Sequence, residues 1–420
     1  MKPNLILSAS ALFLSALTLY SMEPQRDTIN HRKFTDELGF FQKAERELSD
    51  PRFMFHDDKF GMDLGIGGTV GIMGSYTYAG AIQASSFAPA KIDVPSDFSN
   101  SFMANLSECE LHAKARMSIK NHKIVAFLKI RGDQTKVAVN QAYISLDGFS
   151  AGLIPTFFSD LEAGVHMEGC CAPQADLGHP LFGYTLKKNG WEFAVAAEEA
   201  AFSMDSYQFA GIGSNYQPMP DMTLHIKTRW KWGHVQLGAI FRNLTYWARP
   251  EGTLIAAEGK NGHCPGWGLA LSGNIKPSEK LKLSYFLEGG RGIAKYMSIF
   301  SPLNLEVALS KEEQDGYSVL ETVPLLSGSL MAQYNWTDFL TSSAVLQYAK
   351  CFSLSDASVS DNVSHLIMGA VNIFWNIGDF ADLGLEYMYG RRNEYADYSL
   401  TPGQPYGNAH NFSIFMKYMF

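Results

Sequence analysis

The chain has 420 residues, 46% of them hydrophobic and only 18% charged. With 34 Lys+Arg against 42 Asp+Glu the net charge is −8, which argues against a nucleic-acid partner. After residue 21 no run approaches the roughly 18 apolar residues that a spanning helix needs, so entry into a membrane would have to use strands.

Met1, Lys2 and the nearly uninterrupted apolar run Leu5 to Tyr20 predict a secretory signal peptide over residues 1–21, with cleavage near Ser21 or, alternatively, Ala16. No Cys follows the run, so a lipoprotein anchor is not expected. Residues 22–57 form a periplasmic leader of helical character. Phe34, Leu38, Phe41 and Leu48 fit the seam of a short coiled coil, with Glu45 at the missing position. Asp50-Pro51 ends it.

From Asp63 onward about sixteen segments alternate with period two, the last of them at 410–420. Tight turns at Asn121-His122, Asp147-Gly148, Asn189-Gly190, Trp232-Gly233 and Trp336-Thr337 alternate with long polar loops, near 79–105, 159–180, 200–220, 248–265 and 291–323. Only the connection at Gly132 to Lys136 is short where a long loop is due. A sandwich or a propeller has no need of such alternation. An up-and-down barrel does, with tight turns at the periplasmic rim and long loops outside. Phe412, Ile414, Met416, Tyr418 and Phe420 form an apolar row opposite Asn411, Ser413 and Lys417, and Phe420 is expected to close the barrel. Residues 58–420 are therefore expected to be an all-β, transmembrane antiparallel barrel of about sixteen strands in the outer membrane of a Gram-negative-type bacterium, in contact with its lipid. Trp230, Trp232, Trp247, Trp336 and Trp375 lie at strand ends, as interfacial girdles require.

Turning each apolar row to lipid sends the other row into the lumen. Lys114 and Arg116 then point inward beside His112, Lys129 and Arg131 beside Lys123, and Lys227 and Arg229 beside His225. Arg242 shares its inward row with His234 and Gln236. Glu110, Glu288 and Glu386 have inward parity as well. The loop at 159–180 carries Asp160, Glu162, Glu168 and Asp176; folded inward, its acids would oppose the basic wall across a constriction.

The segment GAVNIFWNIGDFADLGLEYMYGRRNEY at 369–395 resembles the C-terminal part of DcaP-like porins; HAKARMS at 112–118 and GLIPTFFSD at 152–160 are similar to two earlier strands of that family. The resemblance implies a sixteen-stranded trimeric channel with a helical N-terminal extension, passing small anions such as dicarboxylates. The pair Cys170-Cys171 and the short leader depart from the family pattern. No G-x-S-x-G elbow, CxxC pair or zinc-type cluster appears, so neither an enzyme nor a metal or other cofactor is expected. The second reading is a structural or adhesive barrel, which five cysteines would suit through cross-linking, although one or two internal disulfides are equally compatible with them.

Overall fold

A computed structural model describes residues 53–57 and 61–420, apart from positions 79–86, 97–99, 120, 133–135, 170–177, 202–211, 216, 249–259, 304, 315–316, 353–356, 359–362, 379 and 396–402. The signal peptide, the coiled-coil seam, Cys170, Cys171 and Asp176 lie outside the described residues.

Sixteen antiparallel strands close into a barrel. They are β1 Met62–Tyr78, β2 Ser101–Ile119, β3 His122–Gly132, β4 Val137–Leu146, β5 Phe149–Pro155, β6 Gly178–Lys188, β7 Trp191–Glu198 and β8 Asp221–Trp230. Then come β9 Gly233–Ala248, β10 Lys260–Ile275, β11 Leu281–Arg291, β12 Pro324–Thr337, β13 Leu340–Cys351, β14 Val363–Ile377, β15 Ala381–Glu394 and β16 Tyr406–Met419. Every expected period-two segment becomes a strand. The largest adjustments are at β2 and β10, which extend upward into stretches read as loop, and at β5, which stops at Pro155.

The tight turns follow from local chemistry. Asp147-Gly148 and Asn189-Gly190 both adopt positive φ at both residues, the conformation that lets a two-residue hairpin match the twist of its strands. Closure depends on β1, where the glycines have a steric cause. A Cβ on Gly68 would lie 2.6 Å from the ring of Phe420, and one on Gly71 only 2.3 Å from the carbonyl of Ser107, at a bulge in the β1–β2 pairing. Phe420 exchanges both backbone hydrogen bonds with Gly68, at 2.8 and 2.9 Å, and so completes the seam between β16 and β1. The remaining edge of β1 is taken by Phe53–Asp57, which pairs antiparallel to Met62–Ile66. Residues that sequence reading leaves in the leader thus continue the line of β16.

Outward rows are apolar all round the barrel and exposed, among them Ile72, Leu128, Phe182, Leu237, Leu269, Leu330, Leu346, Leu385 and Ile414. With its sheet closed on itself and an apolar outer belt, this is a transmembrane barrel, and the outer membrane of Gram-negative-type bacteria is where such barrels reside. Trp191, Trp230, Trp232, Trp336 and Trp375 are exposed at the tight-turn rim, while Trp247 is half-buried at the opposite rim.

The lumen is partly filled. Phe158, Ile293, Met297, Ile299 and Phe300 are buried against inward residues Ile240, Phe286, Leu325 and Met368, forming an apolar cluster inside the barrel. The extracellular loops add a small three-stranded sheet of Val307–Gln314, Tyr317–Thr322 and Ala357–Ser358.

Candidate functional site

After β5 the chain turns inward at Thr156 to Phe158 instead of leaving the barrel. Thr156 Oγ1 and the Phe157 N–H both donate to Glu198 Oε1 on β7, at 2.8 and 3.0 Å. A single turn of 3₁₀ helix, Leu161–Ala163, follows. The loop then runs round the inner wall from β8 to β16.

Its fastenings are charged. Asp160 is fully buried and accepts from Lys227 Nζ at 2.7 Å, His234 Nε2 at 2.7 Å and Ser272 Oγ at 2.9 Å. Glu162 accepts from Arg229 Nε at 3.1 Å, and its carbonyl accepts from Asn274 Nδ2. Further on, Lys282 Nζ donates to the Gly164 carbonyl, and the His166 ring stacks on Phe374 at 4.1 Å between centroids. Glu168 pairs with Lys417 on β16 and with His166, and the Gly169 N–H donates to Glu386 Oε1 at 2.8 Å. Asn372 Nδ2 ties the two ends of this last contact, donating to the His166 carbonyl and to Glu386 Oε2.

Burial by itself disfavours the charge on Asp160, but the ammonium of Lys227 and the hydrogen bond from His234 outweigh it and hold the carboxyl well below the usual range. Burial likewise opposes ionisation of Glu168, and Lys417 with His166 overcomes it, bringing that carboxyl to about 2. Both groups are ionised anchors of the loop at neutral pH.

The expected inward residues fall into two groups and one outlier. On β8, Lys227 and Arg229 meet Asp160 and Glu162 directly, with Arg229 also bonded to Glu192 at 2.9 Å. On β2 and β3, Lys129 and Arg131 share Glu110, at 3.2 and 2.8 Å, with Lys114 on the same inward row; Arg116 lies 3.8 Å from Asp63. Arg242 stands apart, near the extracellular end. It is buried, and it bonds Asp221, the Gly292 carbonyl and the Ala201 carbonyl. Its guanidinium also lies 5.2 Å from the centre of the Tyr296 ring, so it anchors the inward loop at 292–303.

Direct contact between Asp160, Glu162 and the β8 wall replaces the expected opposition across a gap: the loop lies on that wall. Lys417, Glu192, His166 and Asp221 join the expected residues in these contacts. Lys417 sits on the polar row of the last strand, and inward parity was the signal available for it.

In the Arg131 and Arg229 pairs the carboxylate is the hidden member, whereas Lys129, Lys227 and Arg242 are as deeply buried as their partners. Arg131 keeps 36% of its side chain accessible and Arg229 32%, against 1% for Glu110 and for Glu192 and 8% for Glu162. Asp160, Glu162 and His234 also bring ligand-type atoms within 4.8 Å of one another, but Lys227 Nζ already lies 2.7 Å from Asp160 and 3.6 Å from Glu162. An ammonium in that position does the work of a cation.

Cys109, Cys264 and Cys351 are free thiols, the last two buried. Among the described residues these three form no disulfide with one another.

A closed sixteen-strand barrel with the loop after its fifth strand folded along the inner wall is the architecture of outer-membrane porins. No family model and no curated protein matches the chain. Among solved structures, it is similar to the outer membrane channel DcaP of Acinetobacter baumannii, with a TM-score of 0.69 and 16% identity over 87% of this chain and 99% of that one. It is also similar to the anion-selective porin from Comamonas acidovorans, at TM-score 0.56 and 10% identity over 86% and 100% of the two chains. The outer membrane protein OmpT of Vibrio cholerae follows at TM-score 0.51 and 9% identity, covering 87% and 99%. At such identities the likeness establishes a shared DcaP-like porin fold.

Proposed function

We propose that this barrel is a passive diffusion channel for small anionic solutes, dicarboxylates among them, and that it works as a homotrimer rather than as an enzyme. The observation that carries the anionic preference is the unequal exposure within the ion pairs of Arg131 and Arg229. Glu110, Glu162 and Glu192 are buried behind Arg131 and Arg229, which keep about a third of their side chains accessible. A solute in a confined lumen therefore meets guanidinium groups first, where screening by bulk salt is incomplete. Guanidinium binds carboxylate in a two-pronged way, so a solute with two carboxylates gains two such contacts. The anion-selective porin of similar fold supports the same reading.

Support for the trimer comes from the outer wall. β5 and β7 are 7 and 8 residues long, whereas a strand needs roughly 9–11 to cross the hydrocarbon. The wall there carries a concave apolar groove of about 620 Å³ lined by Ile144, Phe149, Ala151, Phe182, Val195 and Met222. A short, hollowed wall suits contact with a neighbouring barrel better than contact with lipid.

The test is the reversal potential in a planar bilayer under a salt gradient, for wild type beside Arg131→Glu and Arg229→Glu. Anion preference in wild type that weakens in both variants is the expected result. Cation preference in wild type would sink the anionic reading, and absence of conductance would favour the structural barrel.

A further inference from the structure

We propose that the outer wall of the barrel holds a binding site for the phosphate of an outer-leaflet lipid, at the extracellular end of β13 to β16. Lys350 on β13 is directly opposite His365 on β14, and Arg391 on β15 lies between Ile367 of β14 and Asn408 of β16. One register step below, Tyr389 faces His410. These side chains are on the outward row. Their immediate neighbours Ala349, Leu366 and Ala409 are fully buried toward the lumen, and the same outward row continues down the wall as exposed Leu346, Ile373, Leu385 and Phe412. Lys350 is one residue from the end of β13, so the cluster is at the rim that carries the long loops.

Here the cations are arranged otherwise than in the lumen. Arg391 is held by stacking over Tyr406, 4.3 Å from the ring centre, and by its Nε donating to Asn393 Oδ1 at 3.1 Å. Among the described residues, its two terminal nitrogens have no hydrogen-bond partner, and no carboxylate pairs with Arg391 or Lys350. Lys350 stacks over Tyr395 at 5.1 Å. Tyr387 and Tyr389 are fixed by bonds to His410 and Asn408, each at 2.9 Å. Unpaired cations facing the lipid side of a membrane protein are costly unless an anion accompanies them, and at headgroup height that anion is supplied by the lipid. A guanidinium with both terminal nitrogens available matches phosphate geometry, and tyrosine rings suit the headgroup level of the interface.

Below the cluster the wall is notched. Gly369, on the outward row of β14 between Leu346 and Tyr389, has open space where a Cβ would stand, with nothing within 4 Å. Charge above and an apolar notch beneath fit an amphiphile whose phosphate meets Arg391 and Lys350 while an acyl chain lies against Gly369, Leu346 and Leu385. The site rests on the outer-membrane placement of the barrel and is independent of what passes through its lumen.

The experiment is native mass spectrometry of the full-length, detergent-purified protein titrated with diphosphoryl lipid A, with dephosphorylated lipid A and inorganic phosphate as separate arms. Compared are wild type, Arg391→Ala with Lys350→Ala, the conservative Arg391→Lys, and Lys280→Ala at the opposite rim. Heat-modifiable mobility reports folding of each, and Arg391→Gln alone replaces the double variant should that fail to fold. Wild type and Lys280→Ala are expected to bind diphosphoryl lipid A equally. The double variant should bind it about tenfold more weakly or worse, as loss of charge-assisted hydrogen bonds implies, and Arg391→Lys should retain part of the affinity. Equal binding by the double variant overturns the site, as does equal binding of dephosphorylated lipid. Competition by inorganic phosphate as effective as that by lipid would make the ligand free phosphate, and an oligomer that excludes lipid from wild type would make the occupant a second copy of the chain; either result overturns the lipid assignment.

Discussion

Lys227 and Asp160 form a buried ion pair of 2.7 Å between the inner wall and the loop that follows β5, with 1% and 0% of their side chains exposed. Its partners are separated by 67 residues, and the pair fixes where the loop lies. Removing one member of a buried pair leaves an uncompensated charge, at a cost of about 3–5 kcal/mol. Asp160→Ala is therefore expected to free the first half of the loop, lowering the temperature of the heat-modifiable transition and raising current noise in single-channel recordings. Asp160→Ala combined with Lys227→Met should recover much of the lost thermal stability, because no charge is then stranded. A double variant as unstable as the single one would count against this account.

The pH response of the loop follows from the same fastenings. In the folded barrel the carboxyls of Asp160 and Glu168 are depressed, Glu168 to about 2, below the value of about 4 that they have in an unfolded chain. A depressed carboxyl contributes stability that is fully present above the unfolded value and is lost as pH falls through the folded one. The share of loop stability that comes from Asp160 and Glu168 should thus stay constant from neutral pH down to about 4 and be lost only in stronger acid, as read from the difference in protease resistance between wild type and Asp160→Asn with Glu168→Gln. A difference that already disappears near pH 5 to 6 would count against this assignment.

At the seam, Gly68→Ala introduces a Cβ 2.6 Å from the Phe420 ring and 2.7 Å from the Glu110 carbonyl. One of those neighbours is backbone and cannot yield cheaply. Barrel closure should be impaired to a degree similar to deletion of Phe420, with export unaffected, as read from the fraction of heat-modifiable protein in outer-membrane extracts. Normal closure in both variants would separate Phe420 from assembly.

Arg242 and Arg229 provide a contrast within one wall. Arg242 is 4% exposed and anchors the 292–303 loop, whereas Arg229 keeps a third of its side chain accessible. Arg229→Ala should shift the reversal potential toward cations with a smaller loss of thermal stability than Arg242→Ala, because Glu162 keeps Lys227 and Glu192 keeps Lys187 as partners. Arg242→Ala should do the reverse, destabilising the fold through the stranded Asp221 while leaving ion preference nearly unchanged. Equal shifts in reversal potential would show that Arg242 is reached by permeating ions.

How much the sequence alone determined is clearest along β8 and at the end of β16. Period-two alternation put Met222, Leu224 and Ile226 on one face and His225, Lys227 and Arg229 on the other, and the strand adopts that division because lipid and lumen leave no third option. Turn chemistry at Asp147-Gly148 and Asn189-Gly190 was equally local, since positive φ at both residues limits the choice of side chain. Strand count, face assignment and closure at Phe420 all followed from such short-range rules. What only the tertiary structure decided was the pairing of charges. Parity says that Lys227 and Lys417 point inward, but not that each meets a carboxylate of the same loop, because those contacts join residues 67 and 249 positions apart. It likewise could not hide Arg242 while leaving Arg229 in reach, since burial inside a barrel is set by where the loops fold, and loop placement is a sum of long-range contacts with no periodic trace in the chain.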